Sequence, residues 1–398
     1  MSAADPATLA AIQRVTKRCL AEIDRVCALL DLRYVAYGGT AIGAVRHKGF
    51  IPWDDDGDVC MPREDYERFI AEAPALLGDE FFIASPATHP DYPISFGVLG
   101  LKGSEFVSKV AKDRSFRMPI GVDLFVLDEI ADDPARFRAQ SRGTWLWARL
   151  MFLRSIPNPP TGLPTPARQL AAAAMACAHW GMRALRVNEA ALYRRWLSAA
   201  LRGRDNPQKA ADGTTLYGDF STRDPRRWSA SEAELFPALS APFEDITVRI
   251  PASYDLVLTR GYGDYMRIPD PQDRVTHEPF HIVFGPHDPG PQATEEASAR
   301  ARKTPRPRPF LTHRPPATHR WRPPRGHWNP AASWDATTCG TRRPHSCRAW
   351  PWSSWVWPSC ARAPLIHSRE PSMACSPWRW RSASSTRRWA CTRFAPST

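Results

Sequence analysis

Residues 37–69 read YGGTAIGAVRHKGFIPWDDDGDVCMPREDYERF, and the order of events in them decides the fold. A short apolar strand, Tyr34 to Tyr37, runs into Gly38-Gly39, after which Thr40 is placed to cap a short helix through Val45. Arg46, His47 and Lys48 fall in the following loop, then Pro52-Trp53, then Asp54, Asp55, Asp56 and Asp58. With the chain extended after Asp55, side chains alternate between faces. Asp56 and Asp58 then share a face with Cys60, while Val59 and Met61 point the other way. Two adjacent carboxylates at a strand end repel unless a cation lies between them. Oxygen-only ligands favour a hard divalent ion, Mg2+ or Mn2+. A calcium EF-hand is excluded by spacing, since the sixth residue from Asp54 is Val59 rather than glycine.

Such a metal site requires a third carboxylate from elsewhere. GVDLFVLDEI, 121–130, supplies one. Val122, Leu124 and Val126 form an apolar face, and Asp123 and Phe125 are expected to look outward. An unpaired carboxylate in so hydrophobic a run is costly to bury, and a metal shared with Asp56 and Asp58 gives it a reason. The glycine pair lets backbone N–H groups approach a phosphate closely, and a helix N-terminus favours the anion. Arg46 offers phosphate a bidentate fork and Lys48 a point charge. Trp53 is suited to stack on a base or a quaternary ammonium group, or to pack half-buried.

The 398-residue chain carries a formal net charge of +12, but unevenly. Residues 291–398 hold 19 basic and 4 acidic side chains, leaving 34 basic and 37 acidic in residues 1–290, a net of −3. The front three quarters therefore gives no electrostatic argument for a nucleic-acid partner. The last 108 residues hold 10 of 16 Trp, 16 of 40 Pro and 5 of 9 Cys but 2 of 22 Gly. Disordered arms are poor in Trp and Cys. A GC-rich gene read out of frame beyond about Gly290 explains this mixture better than a basic arm binding nucleic acid or anionic lipid. Cys19, Cys27, Cys60 and Cys177 lack CxxC spacing, which points to a reducing, cytoplasmic setting without structural zinc. No secretory pattern opens the chain, and Leu170 to Ala178 is too short to span a bilayer.

Elsewhere the periodicity predicts an amphipathic helix over 7–30, started by Asp5-Pro6, and another over 62–77. Strands are expected at 81–84, 95–101, 106–110 and 246–250, with a helix around 254–259. Residues 132–204 read as helical and basic, broken at Pro157 to Pro166; their cationic face is suited to rest on a membrane surface, although a solvated face is the commoner use of such a pattern. Near the end, GYGDYMRIPDPQDRVTH gathers Arg267, Arg274 and His277 beside Tyr262 and Tyr265.

These three motifs resemble the LicD-type phosphotransferase family within the polymerase-β-like nucleotidyltransferase superfamily, over about residues 10–285. Val126 stands where family members usually have proline, and Glu278 where a second histidine is common. The resemblance implies an α/β (α+β) fold: a small mixed-sheet nucleotidyltransferase core in 1–130, flanked by helices. A helical acceptor-side region with the closing strand and helix would follow in 131–290, and a disordered or out-of-frame tail in 291–398. It further implies transfer of a phospho-alcohol, phosphocholine or ribitol phosphate, from a CDP-alcohol donor to a glycan or lipid-linked glycan acceptor such as lipopolysaccharide or teichoic acid. CMP would be released. Asp56, Asp58 and Asp123 would be catalytic metal ligands. Gly38, Gly39, Thr40, Arg46, His47, Lys48, Trp53, Arg274 and His277 would bind substrate. The alternatives are attack on an NTP α-phosphate with release of pyrophosphate, or a binding protein whose site has lapsed. A cytoplasmic protein, peripheral to the inner membrane face, is the expected setting.

Overall fold

The computed structural model describes residues 5–159, 161–274, 276, 277 and 279–287; the expected tail and Glu278 lie outside them. Asp5 makes the first local decision. Its side chain accepts the backbone N–H groups of Ala7 and Thr8 at 3.0 Å each, with Pro6 in the first turn. Helix α1 (Pro6–Leu30) therefore starts where the sequence places it. Its Ile12, Cys19, Ile23 and Val26 are buried against the sheet.

The chain continues through β1 (Val35–Ala36), α2 (Gly38–Ile42), a π-helical turn at Gly43–His47, β2 (Asp58–Pro62) and α3 (Arg63–Glu72). Then come β3 (Phe81–Ala84), β4 (Gly97–Leu101), β5 (Glu105–Ser108) and β6 (Gly121–Glu129). The helical region resolves into α4 (Pro134–Ser155), α5 (Ala167–Ala184) and α6 (Glu189–Ala200), the Pro-rich break falling between the first two. The remainder holds β7 (Leu216–Asp219), β8 (Ala230–Ser231), α7 (Glu232–Leu235), β9 (Leu239–Phe243), β10 (Ile246–Ile250), α8 (Tyr254–Tyr262) and β11 (Pro279–Val283).

Among the described residues β1, β2, β6, β4 and β3 form a mixed sheet in that order, and β7 with β8 extends it from the far end of β6. The β2–β6 pair is parallel and its other neighbours antiparallel. The expected mixed sheet with flanking helices is what forms. One face packs Val59, Met61, Val122, Leu124 and Val126 against α1 and α3. The other carries Cys60, Phe125 and Leu127.

That second face corrects one expectation. Phe125 does not look out to water, because Tyr37 and Phe96 cover it, with ring centroids 5.2 and 4.2 Å away, while Asp123 near the start of the strand stays half-buried. A central strand of a layered fold has both faces covered, so its period-two pattern separates two interiors. Two more departures are local. Strand β2 begins only at Asp58, so pleat alternation does not govern Asp56. Thr40 caps nothing: α2 starts at Gly38, and the Thr40 hydroxyl instead accepts the backbone N–H of Asp58 at 2.8 Å. The β5–β11 pairing ties the chain beyond residue 278 to the core.

Candidate active site

Register brings the first two carboxylates together. Asp58 opens β2 directly beside Asp123 on parallel β6, strands that lie about 4.8 Å apart. The two backbones are pinned by Asp123 N–H to the Gly57 carbonyl (2.8 Å) and Tyr37 N–H to the Asp58 carbonyl (2.9 Å). The Gly38-Gly39 turn closes on the same spot. Gly38 has φ +52°, and a Cβ there would lie 2.9 Å from Asp58 Oδ2; one on Gly39 would lie 2.6 Å from Asp54 Oδ2. Glycine is needed here because carboxylates approach the backbone this closely. Sequence reasoning expected phosphate in that space; in the structure acidic side chains of this chain stand there.

The loop before β2 contributes the rest. Asp54, Asp56, Asp58 and Asp123 form one group of interacting acids, and all have raised pKa values. Burial is the largest cause in each case. At Asp58 the charges of Asp56, Asp123, Asp54 and Asp219 add to it. Asp123 is pushed up to about 8 by burial and then by Asp56. Asp219, at the end of β7, is raised to about 6 by burial, against the lowering effect of Ser221 and Tyr37, which donate to it at 2.6 and 3.1 Å. Acids that hold one another's protons on are a site short of positive charge.

His277 supplies part of that charge. Its Nδ1 lies 2.8 Å from Asp55 Oδ1, and its Nε2 lies 3.5 Å from Asp56 Oδ2. Its backbone N–H also reaches the Asp55 carboxylate at 3.3 Å. Burial alone would lower the imidazole's pKa, but Asp56, the hydrogen bond to Asp55 and the nearby charges outweigh it and raise it to about 9. Asp55, Asp56 and His277 present ligand atoms within 4.8 Å of one another. With its pKa raised, His277 sits between Asp55 and Asp56 as an ion-pair clamp on the acidic loop.

The basic residues are largely committed to protein. Arg46 Nη1 donates to the carbonyls of Tyr265 and Arg267 at 2.5 and 3.1 Å, tying the π-turn to the loop after α8. Arg274 covers one face of Trp53, its guanidinium carbon 4.1 Å from the ring centroid. His47 meets the same ring edge-on at 6.5 Å, and burial and then Arg46 lower its pKa. Lys48 takes a left-handed conformation, and its carbonyl accepts the N–H of Glu244 at 2.7 Å. Asp54, Asp55, Asp219 and Tyr37 were missed by sequence reasoning. Four aspartates in five positions signalled the first two; the alternation of Leu216–Phe220 was the only cue to β7 and Asp219.

The donor set fits a divalent cation: a group of carboxylates that raise one another's pKa, with one imidazolium to offset them. Residues 31–85, which contain the Gly-Gly turn and the acidic loop, match the family described as LicD/FKTN/FKRP, nucleotidyltransferase domain. The lipopolysaccharide cholinephosphotransferase LicD of Haemophilus influenzae is 33% identical over 127 residues, covering 29% of this chain and 44% of that protein. The chain thus spans under half the length of that curated relative. These matches bear out the LicD-type resemblance. Asp123 and His277 lie outside the family match, and the fold alone brings them to the matched segment. No helix among the described residues is long and apolar enough to cross a membrane.

Proposed function

We propose that this chain is a metal-dependent transferase that moves a phospho-alcohol from a CDP conjugate to a glycan hydroxyl, releasing CMP. The observation that carries the reading is the register pairing of Asp58 with Asp123, with Asp56 in the loop just before β2, three interacting acids with raised pKa values. The similarity to a lipopolysaccharide cholinephosphotransferase makes phosphocholine and lipopolysaccharide the first donor group and acceptor to try.

In this reading Asp56, Asp58 and Asp123 would hold Mg2+ or Mn2+. When bound, the metal would supply positive charge to offset the diphosphate and the charge that develops in the transfer. The chain's own groups do the remainder. The acceptor oxygen bonds to the phosphorus bearing the alcohol as the bond to CMP breaks, and the hydroxyl proton passes to a carboxylate oxygen of Asp123. His277 holds Asp55 and Asp56 in place by charge. Trp53 borders the acidic loop, packed against the core with Arg274 over its ring and His47 at its edge, and would contact the donor's base or ammonium group from there.

Peripheral membrane contact belongs to the same proposal. Residues 134–188 contain eight arginines and no acidic side chain. Helix α5 buries His179 alone among its eighteen residues, while Leu170 and Trp180 on it, and Leu185 just after it, are 73, 60 and 79% exposed. Exposed apolar side chains on a helix within so basic a stretch suit an anionic lipid surface, which co-sedimentation with anionic vesicles tests.

Incubating the protein with Mg2+, CDP-choline and lipopolysaccharide should release CMP in step with choline incorporation. Release of pyrophosphate from an NTP, with no CMP from CDP-choline, would favour nucleotidyl transfer, the reading that the matched family's description also supports.

A further inference from the structure

A groove of about 780 Å³ lies between α4 and the end of α6. Arg136 and Ala139 line it from α4, and Arg194, Leu197 and Leu201 from α6 and the 3-10 turn that follows. The local sequence makes this space. The two helices approach closely at Gly143, where a Cβ would lie 2.8 Å from that of Ala199. Ala139, one turn earlier on the same face of α4, adds only a methyl group to the wall. The turn after α6 abuts the last residue of β6, since a Cβ on Gly203 would fall 1.9 Å from the Glu129 carbonyl oxygen. Asp123 lies six residues earlier on that strand, a separation of about 20 Å. The groove is therefore no part of the acidic site.

Its lining is divided into a basic rim and an apolar floor. Arg136, Arg194 and Arg202 are exposed, and among the described residues none of them has an ion pair or a side-chain hydrogen bond. Asp205, the one carboxylate in the lining, makes no ion pair there either. Elsewhere on the surface helices such arginines find a carboxylate. Arg68 pairs with Glu72 at 3.1 Å, and Arg204, two residues after Arg202, pairs with Glu64 at 3.6 Å. The floor is made by Ala139, Leu197 and Leu201, all half-buried. A groove of this volume suits a drug-sized molecule, whereas a lone inorganic anion would leave the leucines uncovered.

We propose that this groove binds one phosphomonoester lipid, its phosphate held by the arginines and its first acyl carbons laid over Leu197 and Leu201. The guanidinium fork takes phosphate oxygens in pairs. Three arginines less one aspartate leave a surplus of two positive charges, which a phosphomonoester, at about −1.5 to −2 near neutral pH, balances. A zwitterionic headgroup does not, and a headless phosphate gains nothing from the floor. The site is independent of the transferase reading. It is also distinct from the exposed apolar side chains of α5, which would meet a bilayer rather than enclose one lipid.

Titration calorimetry of the full chain with dihexanoyl phosphatidic acid, kept below its micelle concentration, tests the site without a membrane. One saturable site per chain is expected. Glycerol 3-phosphate should bind at least tenfold more weakly, since each buried CH2 is worth about fourfold in affinity, and dihexanoyl phosphatidylcholine should not bind. Replacing both Arg194→Gln and Arg202→Gln should weaken phosphatidic acid binding at least tenfold. Replacing Arg138→Gln and Arg142→Gln, exposed arginines of α4 outside the groove, should leave it unchanged. All four positions are exposed, so the variants should melt with wild type. No binding by wild type, equal affinity for glycerol 3-phosphate or for phosphatidylcholine, or equal losses in the two double variants would each overturn the proposal.

Discussion

Strand β6 carries an aspartate near each end, and their surroundings are opposite. Asp128 is fully buried and accepts both arms of the Arg63 fork at 2.8 Å, with Trp196 and Tyr66 rings 5.8 and 5.7 Å from the guanidinium. Asp123, five residues earlier, faces Asp58 and Asp56 with no such partner and is driven up to about 8. The residue type and the strand are the same. What differs is whether the fold supplies the opposite charge itself or leaves it to a ligand. The first arrangement holds helix α3 to the sheet. The second leaves like charges together, offset in part by His277, and raises their pKa values.

Substitution at the two ends should therefore break in different currencies. Asp58→Asn or Asp123→Asn is expected to cut turnover by about 10³-fold or more, while the melting temperature in metal-free buffer stays level or rises. A variant of either kind that keeps near-normal turnover would end the assignment. At the other end, Asp128→Ala strands a buried guanidinium and should cost about 3–5 kcal/mol in urea unfolding. A loss under 1 kcal/mol would mean that the pair is not the brace described.

His277 offers a smaller and sharper comparison, because it is the acidic site's internal counter-charge. Its folded pKa of about 9 lies above the ordinary histidine value of 6.5. Its contribution is therefore fully present below pH 6.5 and is lost as pH rises through 9. In EDTA, wild type should exceed His277→Gln in stability by on the order of 1–3 kcal/mol at pH 6, with the gap closing by pH 9.5. A gap that widens with pH would show the histidine to be neutral in the folded protein.

Much of this arrangement was legible in the sequence, for reasons that can be located. Helix α1 and strands β2, β3, β6 and β10 follow from periodicity and capping, which act within a few residues. Asp56 and Asp58 stand out as clustered like charge, and Asp123 as an acid in an apolar strand. The role of Asp55 was not legible, since it depends on His277, 222 residues away. Nor was Asp219, on a short strand whose pairing to the far end of β6 is a tertiary event. Arg46 looked available for phosphate, but the carbonyls of Tyr265 and Arg267 that engage its Nη1 become neighbours only on folding. Local rules found the acids, whereas the long-range contacts sort the groups held by partners from those left to a ligand.

The central claim is that Asp58 and Asp123 jointly hold a divalent cation, and Mn2+ titration followed by electron paramagnetic resonance measures it without any substrate. The account expects saturable binding to wild type that is lost in both Asp58→Asn and Asp123→Asn. Binding that survives either substitution unchanged, or no binding by the folded wild-type protein, would contradict it.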